Sequence, residues 1–201
     1  MMWSKIAQTD IGHDAALLYM KGTHRYYHNW LHIYDCYDYL ESNNVEYDED
    51  LDYAVLYHDI VYDDQPDKEK RSSDLLLQHF PGKDRAAEII MATAGHDIRN
   101  RSWQEIEMIK ADLHQLADPC LVLSNFQSIM LESMEIYKCS AYEFAKSNCI
   151  FMNKLRNTIY CNLEVEKSTF WNDVSLGTLM TVEIADSMCW MYSSIGEKND
   201  S

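Results

Sequence analysis

Apolar residues along this chain recur at helical spacing, and no segment alternates polar and apolar residues long enough to demand a strand. Trp30, Ile33, Tyr34, Tyr37 and Leu40 form one stripe. Leu51, Ala54, Val55 and His58 form a second, and Ile106, Ile109, Leu113 and Leu116 a third. A first helix is expected over 13–20, stopping near Gly22. The next should open near Asn29, whose side-chain oxygen suits an N-cap, and a third after "YDED" at 47–50. "SWQE" at 102–105 and "SAYE" at 140–143 have the S-x-x-E form of a capping box. "DP" at 118–119 offers an N-cap with proline at the first helical position. Long helices should then cover roughly 119–138, 141–160 and 173–192. The three prolines and five of the six glycines sit at expected breaks, and Gly177 alone falls inside a helical pattern. The expectation is an all-α fold, a single domain of packed helices over 1–201 with a frayed tail at 196–201.

Composition narrows what such a fold can do. A hydrophobic content of 47% supports a sizeable core, and an aromatic content of 12%, with fourteen tyrosines, argues against disorder. The net charge of −16 leaves no basic patch, since the densest basic run, "KEKR" at 68–71, is interrupted by Glu69. Duplex nucleic acid and anionic membranes are therefore excluded as general partners. A small phosphorylated substrate is compatible, because a bound cation can dominate the local field. The six cysteines form no C-x-x-C pair, "MMWSKIAQTD" has no apolar run, and no stretch approaches the ~18 apolar residues of a membrane helix. A cytoplasmic protein follows as the expectation, with its thiols serving as small buried hydrophobes. The Met- and Tyr-rich helices after residue 120 could supply a homodimer face, although such stripes are more often core.

Candidate chemistry gathers in two stretches, "RYYHNWLH" at 25–32 and "LYHDIVYDD" at 56–64. His32 falls just inside the helix opened by Asn29, whereas His28 precedes that cap. His58 ends an apolar stripe and should be buried. Adjacent helical side chains diverge by ~100°, so His58 and Asp59 can share a ligand only at a helix end. "DIVYDDQPD", with its proline, is such an end. His96 follows in "TAGHD". Asp112 lies beside the third stripe, where an unpaired carboxylate would be costly and a metal would be one suitable partner. Taken singly, His58 also reads as a core histidine on a backbone carbonyl, and Asp59 as a solvated acid.

Together these motifs resemble the HD superfamily of metal-dependent phosphohydrolases, and closely a subgroup of small bacterial predicted HD phosphohydrolases. The subgroup's R-x-Y-H-x-x-x-H is present as Arg25, Tyr27, His28 and His32, and its F-H-D-x-V-Y-D is similar to "YHDIVYD" at 57–63. Of its N-E-x-x-S stretch Glu69 and Ser72 remain, with Lys68 in place of the Asn. Of its D-A-D-L motif residues 111–113 remain, with Lys110 in place of the first acid. An Arg expected in the helix after Glu143 and an A-R-x-N pattern around Glu183–Asp186 are missing. The likeness covers roughly residues 20–160, so that helices over 161–192 would pack onto an HD-type core holding the site between central helices.

The resemblance implies that His32, His58, Asp59 and Asp112 hold a divalent metal, one or two ions per chain. Mn, Fe, Co, Ni and Zn suit mixed nitrogen and oxygen donors, and Mg remains among the candidates. It further implies a phosphohydrolase that attacks a nucleotide or other small phosphoester through a metal-bound hydroxide. His28 and His96 would be second-metal or proton-donating groups, Asp59 a carboxylate able to bridge two ions, and Asp63 and Glu69 groups that orient a water or hold hydrogen bonds around the ligands. Arg25, Lys68 and Arg71 are the nearby cations that could pair with substrate phosphate, and each reads equally as a surface ion-pair partner for the chain's many acids. Three other readings remain open: an HD-fold di-iron oxygenase, a non-catalytic HD-type binding module, and a helical protein whose histidines are all core.

Overall fold

The computed structural model describes residues 4–21 and 24–199, and among them there are nine α-helices and no strand. The all-helical expectation holds. The chain divides into two compact units, Met1–His114 and Gln115–Ser201.

The first unit contains α1 (Asp10–Lys21), α2 (Trp30–Ser42), α3 (Glu49–Tyr57), α4 (Lys68–His79), α5 (Asp84–Thr93) and α6 (Trp103–Leu113). Helix α3 is its axis: every residue from Leu51 to Tyr57 is buried, and α1, α2, α4, α5 and α6 all pack on it. The first two stripes supply much of this core, with Ile33, Tyr37 and Leu40 meeting Leu51, Ala54, Val55, Ile89, Ile90, Met108 and Ala111, whereas Tyr34 of the first stripe is exposed and none of the third stripe's four residues joins the cluster. Side-chain caps set the boundaries, at Asn29 and Ser102 as expected, while α3 starts at Glu49, inside the "YDED" after which it was expected. Asn29 Oδ1 accepts from Leu31 N–H at 2.7 Å, Asp48 Oδ1 accepts from Leu51 N–H at 2.9 Å, and Ser102 with Glu105 closes a reciprocal capping box. Helices α4 and α5 open on Asp67 and Lys83, neither of which makes a side-chain cap, and no sequence signal marked either start. Gly22, the expected stop of α1, lies outside the described residues.

The second unit holds α7 (Val122–Tyr137), α8 (Ala141–Val165) and α9 (Thr169–Asn199). Ser140 and Glu143 close the second capping box. Asp118 and Pro119 open a turn rather than a helix, because the Asp118 side chain accepts from Cys120 N–H and its carbonyl from Leu121 N–H, so α7 starts at Val122. Helices α8 and α9 run antiparallel, with Cys149 Sγ against Asp186 and the rings of Tyr142 and Tyr192 in contact. The Met- and Tyr-rich stripes are divided: Phe126, Phe144, Met152, Leu155 and Ile159 are buried, whereas Ile150, Phe151 and Trp190 are exposed. Gly177 sits mid-helix because the Leu116 carbonyl lies where a β-carbon would go. Helix α9 continues to Asn199, through residues 196–199 that were expected to fray, while 200–201 lie outside the described residues. The cysteines also depart from expectation. Only Cys36 is buried, the other five being exposed or intermediate. Among the described residues, no helix is long and apolar enough to cross a membrane.

Candidate metal centre

Four side chains from three places in the first unit converge. His32 comes from the first turn of α2, His58 and Asp59 from the end of α3, and Asp112 from the last turn of α6. The end of α3 lets neighbours in sequence share one point, as its stop before "DIVYDDQPD" required. His58 is the C-cap of α3, still with helical backbone angles, and Asp59 follows it in the turn.

The facing atoms are His32 Nε2, His58 Nε2, Asp59 Oδ2 and Asp112 Oδ1. His32 Nε2 is 3.3 Å from His58 Nε2, 3.5 Å from Asp59 Oδ2 and 3.3 Å from Asp112 Oδ1. His58 Nε2 is 3.2 Å from Asp59 Oδ2 and 3.6 Å from Asp112 Oδ1. Donors bound at about 2.1 Å to one ion stand about 3.0 Å apart in an octahedron and about 3.4 Å apart in a tetrahedron. The observed spacings fit that range, and these four residues could hold a metal ion.

Hydrogen bonding around the cluster points the same way. His58 Nδ1 donates to the Val55 carbonyl at 3.0 Å, which in the neutral ring leaves the Nε2 lone pair facing the cluster. Asp59 Oδ2 is buried and no donor is aligned on it, even though two imidazole nitrogens stand 3.2 and 3.5 Å away. Four acceptors facing one point repel unless a cation or a proton joins them. The titration of the groups shows the same field. Burial alone would lower the His58 pKa, but Asp59 and Asp112 outweigh it and hold the ring well above its ordinary value. Burial likewise opposes ionisation of Asp59 and Asp112. The histidines around them nevertheless keep both carboxyls well below the usual range. His32 Nδ1, by contrast, is buried without a hydrogen-bond partner.

His96 Nε2 donates to Asp112 Oδ2 at 3.1 Å, so Asp112 turns one oxygen to the cluster and the other to His96. His96 does so from a left-handed backbone position, φ 53°, one that few non-glycine residues adopt but histidine takes more often than most. His28 flanks the other side, its ring 5.8 Å from that of His32 and stacked on Tyr62 at 4.0 Å. Neither ring belongs to the four-residue group that could hold a metal ion.

The three expected phosphate cations have separate fates. Arg25 Nη1 donates to the carbonyls of Asp59 and His28 at 2.7 and 3.0 Å, and Nη2 to that of Ile60 at 2.8 Å. It pins the His28 loop to the turn carrying Asp59. Arg71 is bidentate on Asp63 at 2.9 and 2.6 Å and also donates to the carbonyls of Pro66 and Gln65. Asp63, expected to orient a water, is therefore tied to Arg71, which holds its carboxyl down at about 2. Lys68 Nζ rests 3.9 Å from the centroid of the Tyr62 ring. The retained serine of the N-E-x-x-S stretch has a structural part, since Ser72 Oγ accepts from Val61 N–H and fixes the loop after Asp59.

Comparison with protein-family models, with curated proteins and with solved structures finds no match to this chain.

Two residues of the site escaped the sequence reading. Cys36, one helical turn after His32, places its sulfur 3.9 Å from His32 Nε2 and joins a second possible ligand set with His32 and His58. Burial pushes its thiol pKa well up, and the thiol donates to the Ala111 carbonyl, so it presents no thiolate. Its i, i+4 spacing from His32 was the available signal. Tyr62, which carries both His28 and Lys68 on its ring, had no signal beyond its place in "VYD".

Proposed function

We propose that this chain is an HD-type metal-dependent phosphohydrolase acting on a nucleotide or other small phosphoester, with His32, His58, Asp59 and Asp112 as metal ligands. The observation that carries the reading is the buried, donor-less Asp59 Oδ2 among three further acceptor atoms 3.2–3.6 Å from one another or from it. A bound divalent cation would supply an acidified water, with a pKa lowered from ~15.7 to about 7, and a Lewis acid for the phosphoryl oxygen.

The chain's own groups set the rest. His58 is locked by Val55 so that its lone pair faces inward. His96 orients the Asp112 carboxylate, and Arg25 holds the backbone of Asp59 and Ile60 in place. His28, stacked on Tyr62 beside the cluster, is the group we assign to protonate the leaving oxygen as its bond to phosphorus breaks. The test is elemental analysis of untagged protein, wild type beside Asp59→Ala, followed by a phosphoester panel under several divalent ions. Stoichiometric metal in wild type alone, with turnover, supports the reading. Metal in neither protein removes it.

One feature favours a second reading. Asp112 Oδ2 and His96 Nε2 stand together 3.1 Å apart on the outer side of the cluster. A second ion there would suit an HD-fold di-iron oxygenase. Two irons per chain and oxygen consumption without phosphoester turnover would select it.

A further inference from the structure

We infer that this centre offers an ion two alternative seats, and that Cys36 draws a thiophilic ion such as Zn²⁺ away from the carboxylates. The inference rests on the ligand assignment in the reading above and not on its phosphoester chemistry. Two groups of side chains meet at one pair of imidazoles. His32, His58, Asp59 and Asp112 form the first, and His32, Cys36 and His58 form the second, each with its ligand atoms within 4.8 Å of one another. Neither carboxylate belongs to the second group, so sulfur and carboxylates are too far apart to make one compact ligand set. An ion on His32, Cys36 and His58 therefore sits apart from one held by Asp59 and Asp112.

Spacing supports the second seat. A sulfur bound at about 2.3 Å and a nitrogen at about 2.0 Å stand about 3.5 Å apart around a tetrahedral zinc. Cys36 Sγ is 3.9 Å from His32 Nε2, and the two Nε2 atoms are 3.3 Å apart. The sulfur has only a short distance to close. Its position one helical turn after His32 on α2 puts both donors on the same face of one rigid element.

The two seats differ in donor softness and in access. Carboxylate oxygens suit Mn²⁺ and Mg²⁺, whereas imidazole with sulfur suits Zn²⁺. Cys36 is 0% exposed and both histidines are buried, while the Asp59 and Asp112 side chains are 14% and 17% exposed. The carboxylate seat opens toward solvent and a substrate, and the sulfur seat is closed. In the metal-free protein the Cys36 thiol donates to the Ala111 carbonyl at 3.4 Å. As a metal–sulfur bond forms, the S–H bond breaks and its proton leaves to solvent. The carbonyl then gives up only a weak donor. Mn²⁺ gains too little from sulfur to make that exchange, so it stays with the oxygens. A thiophilic ion is held in the closed seat, away from substrate.

The experiment supplies Co²⁺, Zn²⁺ or Mn²⁺ to chelator-stripped wild type, Cys36→Ser, Cys36→Ala and Asp112→Asn, each checked for fold by circular dichroism. Cys36→Ser keeps a hydrogen-bond donor for the Ala111 carbonyl. Co²⁺ in wild type should give a sulfur-to-cobalt charge-transfer band that one equivalent of Zn²⁺ removes. The band should be absent from Cys36→Ser and Cys36→Ala, which retain the other five cysteines, and present in Asp112→Asn. By competition with a chromogenic chelator, both cysteine variants should lose at least about tenfold in Zn²⁺ affinity, since even a partner outside the ligand set is worth that much. Their Mn²⁺ affinity should stay at the wild-type value.

Three results would overturn the inference while leaving the phosphohydrolase reading to its own test. The first is no band in wild type, or one that persists in Cys36→Ser. The second is loss of the band in Asp112→Asn, which would place sulfur and carboxylate on a single ion. The third is an equal fall in Mn²⁺ and Zn²⁺ affinity in the cysteine variants, which would make Cys36 a packing residue. If the band behaves as expected but Mn²⁺-loaded wild type turns over no phosphoester, the hydrolase reading falls and the sulfur seat stands. If wild type binds none of the three ions, both fall.

Discussion

Asp52 and Asp59 lie seven residues apart, one in the first turn of α3 and the other just past its end. Both carboxylates are drawn into the interior, and they are treated in opposite ways. Asp52 Oδ1 accepts from the Tyr37 hydroxyl at 2.7 Å, and Oδ2 accepts from the Ile6 backbone N–H at 3.2 Å. Burial raises its pKa, and these donors only partly offset the rise. Asp59 also suffers burial but is held ionised by His58 and His28, with an oxygen that no donor satisfies. Donors complete a structure from within. Converging acceptors leave a demand that a proton or a metal ion must meet, and that separates a carboxylate that holds the fold from one that prepares a site.

Exchanging the two residues for alanine is the strongest test of that contrast. Asp52→Ala strands the Ile6 N–H in the core and leaves the Tyr37 hydroxyl with the Asp52 carbonyl as its acceptor. It should lower unfolding free energy by up to about 3 kcal/mol in urea denaturation, with metal content unchanged. Asp59→Ala should abolish metal retention and cost the metal-free protein clearly less stability than Asp52→Ala, because Asp112 still faces His58. Equal destabilisation by the two substitutions in metal-free protein would dissolve the distinction.

Next in size is Arg25→Ala, which acts on the Asp59 side alone. Three carbonyls lose a charged donor, a loss of about 2 kcal/mol in stability. The turn presenting Asp59 is released as well, so metal affinity should fall at least about tenfold. Unchanged affinity, read by competition with a chromogenic chelator, would show that the turn is held by Ser72 and packing alone.

Much of this was legible in the chain because it is written locally. Asn29, Asp48, Ser102 and Ser140 announce helix starts through side chains that bond within three residues. The α3 stripe announced that His58 would be buried at a helix end. His32, His58, Asp59 and Asp112 were singled out by their match to the motifs of the resembled family, and they lie together in the fold. What escaped depends on contacts between distant parts of the chain or on backbone geometry. Helices α4 and α5 have no side-chain cap to betray them. Pairing Arg71 with Asp63 and Arg25 with carbonyls 34 and 35 residues away turns two expected substrate cations into braces. Sequence shows that a cation is near a site but not which acceptor reaches it first. The cysteines failed for a related reason: average burial of a residue type says little about five thiols on the flanks of long helices.

The pH dependence sharpens the comparison further, with a smaller effect. His58 has a folded pKa above its ordinary value of about 6.5. Its contribution to metal-free stability is therefore full below that pH and lost as the pH rises through the folded value. Asp59 and Asp112 have lowered values, so their contribution is present above about 3.9 and lost as the pH falls through the folded values. Asp52, with its raised value, has the opposite sign and takes stability away as the pH climbs past about 3.9. Thermal unfolding in chelator should show stability declining above about pH 6.5. Metal should bind more tightly over that same range, because His58 must shed its proton to become a ligand. A flat metal-free profile up to pH 9 would remove His58 from the proposed electrostatic coupling.

Arg71→Ala should have the smallest effect. The Arg71–Asp63 pair is bidentate, but its side chains are 32% and 45% exposed. Water screens such a pair, so its loss should cost no more than about 1 kcal/mol and less still in high salt. The Asp63 carboxyl, held at about 2 chiefly by its bonds to Arg71, should return toward about 3.9, a shift that carboxyl-carbon NMR reads directly. Metal content should stay at the wild-type level, because the turn at Asp59 and Ile60 is gripped by Arg25 and the next residue by Ser72, both upstream of Asp63. Loss of metal in Arg71→Ala would mean that the loop through Pro66 transmits strain back to Asp59, and the boundary between site and brace would have to be moved past residue 71.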